Sequence, residues 1–118
     1  MYQILEALNK TSGIIGSMIV GKDGIVIAAD LKSQAEEETI GALAASITAN
    51  VQKSLERLRT SPLHQVTIES DNAKFFFTDA KMGILVVLAE PDVNIGLVRL
   101  EIRNAVLKLS KQEVTYRE

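Results

Sequence analysis

The chain has 118 residues, 47% of them hydrophobic and only 4% aromatic, so one domain with a core of aliphatic side chains is expected. Thirteen basic residues against fifteen acidic ones give a net charge of −2, which excludes the basic footprint that nucleic acid or an anionic membrane surface requires. The absence of cysteine excludes disulfides and thiol chemistry, and a single histidine excludes a two-histidine metal site or a triad of separate residues within one subunit.

Residues Met1 to about Lys10 are predicted to form a short helix with Ile4, Leu5 and Leu8 on one side, ended by Ser12 and Gly13. This start contains Glu6 and lacks the basic opening and apolar run of a secretory signal. No apolar run approaches the ~18 residues that cross a bilayer, so a soluble cytoplasmic protein is expected. Ile14–Val20 and Ile25–Ala29 are two apolar runs split by Gly21-Lys22-Asp23-Gly24, the pattern of a β-hairpin.

After Ser33, a long helix is expected from Glu36 to Arg59, with Glu36, Glu37 and Glu38 at its positive end and Arg57 and Arg59 at its negative end. At helical spacing Ile40, Leu43, Ala44, Ile47, Val51, Leu55 and Leu58 share a face suited to covering a sheet. Ala42 and the series Gly41, Ala45 and Ala49 lie around the opposite side of the helix, small where a solvated face would carry Lys and Glu. The expectation is close contact there with the same helix of a second copy.

Pro62 is expected to stop this helix. Gln65–Ser70 alternates apolar and polar residues as a half-buried edge strand does, Lys74–Thr78 follows a turn at Asp71-Asn72, and Ile84–Ala89 follows one at Lys81-Met82-Gly83. The run Ile84–Ala89 has no polar residue and should be central, covered on both faces. Asn94 to about Lys111 is a closing helix with Leu97 or Val98, Ile102, Val106 and Leu109 inward, and the last residues, EVTYRE, are expected to fray.

The order is α-β-β-α-β-β-β-α, an α+β three-layer sandwich in one domain spanning residues 1–118. A five-stranded, mainly antiparallel sheet carries the long helix on one face and the two terminal helices on the other. Its edges are Ile25–Ala29 and Gln65–Ser70. The second has no inward charge or proline, so Val66, Thr67 and Ile68 can pair with their own copies across a two-fold axis while Gly41, Ala45 and Ala49 meet.

Sharper chemistry fails on residue type. Gly16-Ser17-Met18-Ile19-Val20-Gly21-Lys22 matches seven positions of a phosphate-cradling loop, but Asp23 stands where a magnesium-binding hydroxyl is needed, and the residues between the glycines favour a strand. Gly13-Ile14-Ile15-Gly16 lacks the basic neighbours an RNA clamp needs. His64, just after Pro62, reads as a boundary residue, and Glu36, Glu37 and Glu38 diverge by about 100° each instead of converging on a metal. Arg57 and Arg59 could offer a catalytic arginine in trans, although wet helix-end arginines are the plainer reading. Phe75 and Phe77 alternate with Phe76 and suit packing on two faces. No catalytic, cofactor or metal site is therefore expected, and the chain is read as no enzyme.

The residues resemble the roadblock domain family, named for a dynein light chain and including MglB-like regulators. The resemblance rests on Gly16–Val20, Asp23–Ala28, the helix with Ala42, Ala45 and Ala49, Val66–Ile68, Ile84–Leu88 and Asn94–Arg99, in that order and spacing. It implies a layered homodimer or heterodimer that binds a Ras-like small GTPase, as a scaffold or as a regulator of nucleotide state. Together with the helix pattern it gives Ala42, Ser46, Lys53 and Arg57 as the expected docking surface. The alternatives are a structural scaffold subunit pairing with another roadblock-type chain, and a small-ligand sensor with a pocket between sheet and helices.

Overall fold

The computed structural model describes residues 1–32 and 36–117, with side chains through Lys111. Ser33, expected just ahead of the long helix, lies outside the described residues. The elements are α1 (Tyr2–Asn9), β1 (Ile14–Val20), β2 (Val26–Asp30), α2 (Glu37–Arg57), β3 (Gln65–Glu69), β4 (Lys74–Asp79), β5 (Ile84–Ala89) and α3 (Ile95–Arg117). The sheet order is β2-β1-β5-β4-β3, with every neighbouring pair antiparallel.

Strand alternation divides the core into two layers. Leu85, Val87 and Ala89 of β5 join Ile19, Phe76 and residues of α1 and α3, whereas Ile84 and Val86 join Met18, Val20, Phe77, Ile40 and Ala44 on the α2 side. The unbroken apolar run of β5 is thus explained by cover on both faces. Ser17, the one buried polar residue among those described, donates to Asn9 Oδ1 at 2.8 Å, and Asn9 Nδ2 donates to the Asp30 carbonyl at 2.8 Å. These two bonds tie α1 to β1 and β2 and leave the polar group satisfied.

The hairpin strand begins at Val26, one residue later than expected, and Ile25 lies in the turn, exposed. Ile19 pairs with Ala28 and Val20 with Val26, so Ile27 is an extra, unpaired residue, a bulge on the outer strand. Gly24 has φ 89° and brings this turn close to α2.

That approach rotates α2 from the expected orientation. Ile40, Gly41 and Ala44 are buried, while Leu43 and Leu58, expected in the core, are 39% and 70% exposed. A Cβ on Gly41 would sit 3.0 Å from the Gly24 carbonyl oxygen and 3.5 Å from the side chains of Val20 and Val26. Gly41 therefore makes room for the chain's own hairpin and is not available to a second subunit. The apolar spacing alone could not reveal this, because the helix face is chosen by how closely the turn can approach.

The end of α2 also differs from expectation. Leu58 closes the helix, Arg59 has φ 59°, its N–H bonds to the Glu56 carbonyl at 3.1 Å, and the Thr60 N–H bonds to that of Leu55 at 2.8 Å. This is a left-handed cap of the Schellman type with arginine where glycine is usual, so the helix stops before Pro62 acts. At the other end of the chain, the Leu97 N–H donates to Asn94 Oδ1 at 3.1 Å, which caps α3. The helix continues to Arg117, past the expected limit at Lys111, and no glycine or proline follows Gly96 to break it.

Candidate functional site

Two surfaces combine exposure with a pattern. The first is the β3 edge and the sheet beside it. Strand β3 pairs with β4 in unbroken register from Gln65↔Thr78 to Glu69↔Lys74, and its other side is the margin of the sheet. Val66 and Ile68 point to the α2 layer, and Thr67, opposite Phe76, points to the other. Val66, Ile68 and Phe75 are only half-buried, so α2 leaves part of this apolar face uncovered. Exposed Leu43 lies on the flank of α2 one turn before half-buried Ile47, which packs in the same layer as Val66, Ile68 and Phe75, and Leu58 is exposed at the helix end. An apolar strip therefore runs from the helix flank onto the outer strands.

The second surface is the outward ridge of α2. Ala42, Ser46, Lys53 and Arg57 are all exposed, and at 100° per residue they fall within a 60° arc, with exposed Ala49 about 20° beyond its Ala42 end. The expected docking residues are thus brought together in one line. The expected dimer residues separate: Gly41 is internal, Ala45 is half-buried beside Gly24, and Ala49, Val66, Thr67 and Ile68 remain at least partly open.

Small side chains at Ala45 and Ala49 have a consequence that spacing alone did not show. They leave a groove of about 400 Å³ between α2 and one end of the sheet, lined also by Lys22, Gln52, Pro62, Leu63, His64, Phe77, Asp79 and Ile84. Gln52 braces its wall, accepting the Leu63 N–H at 2.8 Å and donating to Glu56 Oε1 at 3.1 Å. His64 is an exposed boundary residue whose carbonyl accepts the Asp79 N–H at 2.9 Å. Lys22 and Asp23 belong to the hairpin turn, where Asp23 Oδ1 accepts the Ile25 N–H at 3.0 Å. The chain runs from there into β2 and not into a helix, so the geometry of a phosphate loop is absent at this turn. Among the described residues no three His, Asp or Glu side chains gather where they could hold a metal ion, and no helix is long and apolar enough to cross a membrane.

The family model of the Roadblock/LC7 domain matches residues 1–89, from α1 through β5. The chain belongs to the Roadblock/LC7 family. An uncharacterized protein of Methanocaldococcus jannaschii, MJ1340, is 40% identical over 107 residues, covering 91% of this chain and 94% of that protein. A second from the same organism, MJ0310, is also 40% identical with the same coverage. Among solved structures, a Roadblock/LC7 domain from Streptomyces avermitilis superposes with a TM-score of 0.90 at 17% identity, covering 97% of this chain and 98% of that one. Myxococcus xanthus MglB gives 0.89 at 21% identity, with coverage of 97% and 94%. At these identities the structural likeness shows that the Roadblock/LC7 fold is shared.

Proposed function

We propose that this Roadblock/LC7 chain is a cytoplasmic, non-enzymatic interaction module that forms a two-fold homodimer and regulates a Ras-like small GTPase. The observation that carries the pairing is the regular β3 edge joined to the incompletely covered layer of Val66, Ile68, Phe75 and Ile47, with exposed Leu43 on the helix flank beside it. Antiparallel pairing of β3 with its copy would extend the sheet, and the two α2 flanks would then cover the strip. Ala49, Val66, Thr67 and Ile68 are the interface residues of this reading; Gly41 is not among them, because the chain's own hairpin occupies its place.

The GTPase reading is supported by the family and by the MglB-like fold, together with the ridge of Ala42, Ser46, Lys53 and Arg57. Two small residues followed by two basic ones offer close approach at one end of the ridge and charge at the other. With no chemistry of its own, the module would act by holding the GTPase's switch segments in one arrangement. A second partner class is another roadblock-type chain, with which this one would build a scaffold.

The test is nucleotide-dependent binding of purified Ras-like proteins from the source cell. Ala42→Glu combined with Ser46→Arg should leave the dimer intact and weaken GTPase capture at least about tenfold. Capture unchanged by this pair would move the site off the ridge, and no binding by any candidate in either nucleotide state would favour the scaffold subunit.

A further inference from the structure

The outward face of α3 takes no part in either surface described above. Its inward side is Val98, Ile102, Ala105 and Leu109, all buried. Leu97, Leu100 and Leu107 nevertheless remain exposed, at 38%, 53% and 56%. With exposed Asn104 and Lys111 they follow the three-four spacing of a coiled-coil seam: Leu97, Leu100, Asn104, Leu107, Lys111. This second stripe lies nearly opposite the first, so α3 is apolar on two sides, and the fold uses only one of them. The stripe also lies beyond the residues 1–89 that the family model matches.

We propose that α3 pairs antiparallel with α3 of a second copy, through a contact separate from the β3 edge. The stripe is self-complementary in one register. With the two-fold axis beside Ile102, Leu97 meets the second copy's Leu107, Leu100 meets the second copy's Asn104, and the symmetry repeats both contacts, so all three leucines of each chain are used. The flanking charges agree with this arrangement. Glu101 then lies beside the second copy's Lys108, and Lys108 beside the second copy's Glu101, two attractive pairs on one rim. A parallel arrangement would instead put Arg103 beside the second copy's Lys108 on both rims, which is repulsive. In the antiparallel pair the like-charge encounters are Arg103 with its own copy on one rim and Glu101 with its own copy on the other, both at wet rims where solvent and salt screen them. Asn104 inside the seam faces a leucine of the second copy and lowers affinity.

Two heptads bury less surface than a stable pair of free proteins needs, so the contact is weak for single chains. It gains strength where each particle carries two α3 faces, as the dimer proposed above would. The occupant is a second copy because the apolar layers and the rim charges are matched within one sequence.

Sedimentation equilibrium of the full chain from about 10 µM to about 1 mM tests this. The mass should rise with concentration beyond the particle built through β3. Leu100→Glu with Leu107→Glu should remove that rise while leaving the smaller particle and the circular dichroism unchanged. Lys108→Glu alone should weaken the association roughly tenfold, and Glu101→Lys with Lys108→Glu should restore it, because the swap rebuilds both rim pairs. A wild-type mass that never exceeds the β3 particle, or one equally high in the leucine variant, would overturn the proposal. A double swap no better than the single change would overturn the antiparallel register. Variants at β3 separate this contact from the dimer: losing the dimer must leave the α3-dependent rise detectable as a monomer-to-pair step, at higher concentration.

Discussion

Arg59 shows how a single residue can carry a local cost that the fold overrides. A side chain in the left-handed region costs about 1 kcal/mol, and here it lets two carbonyls at the end of α2 find donors. Arg59→Gly should therefore stabilise the chain by about 0.5–1 kcal/mol, read as a melting temperature raised by about 2–5 °C. No gain would mean that the arginine side chain contributes as much as its backbone costs. The sequence signalled a helix end here through Pro62, but the left-handed turn three residues earlier was not legible, since nothing but φ distinguishes it. Gly41 was misread for a related reason. Its lack of a side chain signalled close approach correctly, yet whether the approaching backbone belongs to the same chain or another depends on where Gly24 lands.

At the scale of elements, strands were more legible than helix faces. The limits of β5 match its apolar run residue for residue, and the two expected edge strands are the two observed edges. Alternation also placed Phe76 opposite in sense to Phe75 and Phe77, whose rings lie 6.3 Å apart on the α2 side. The face of α2 was less secure because its apolar residues span more than the core needs: Ile40 and Ala44 pack inward, and Leu43 and Leu58 are left over. Leftover apolar residues beside an open strand are what a partner surface requires. Ile68→Asp, which puts a charge into the half-buried strip, should convert the dimer to monomer in size-exclusion chromatography at about 50 µM without loss of helix content. A variant that stayed dimeric would remove the β3 edge from the interface. The ridge of Ala42, Ser46, Lys53 and Arg57 was legible because any four residues at such spacing share a face; that the face is outward needed the packing.

For the molecule as a whole, the three-layer arrangement distributes cover unequally. The α1 and α3 layer closes a core from Leu5 to Leu109, and the α2 layer leaves Val66, Ile68 and Phe75 half-open. If the dimer completes that second layer, folding and association are linked by mass action. Raising protein concentration a hundredfold should then add about 2.7 kcal/mol to the native assembly and lift its melting temperature by roughly 5 °C, whereas the Ile68→Asp chain should melt at one temperature throughout. A wild-type chain insensitive to concentration over that range would mean that the strip is stable in water.

The extra residue at Ile27 gives the opposite margin of the sheet a different fate from β3. A strand with a kink in its ladder presents its N–H and C=O groups out of step with any straight neighbour. Hydrogen-bonded growth from the regular margin can thus add one sheet and then meets a bent one at each outer end, so a ribbon begun at β3 is self-limiting and does not lengthen into a fibre.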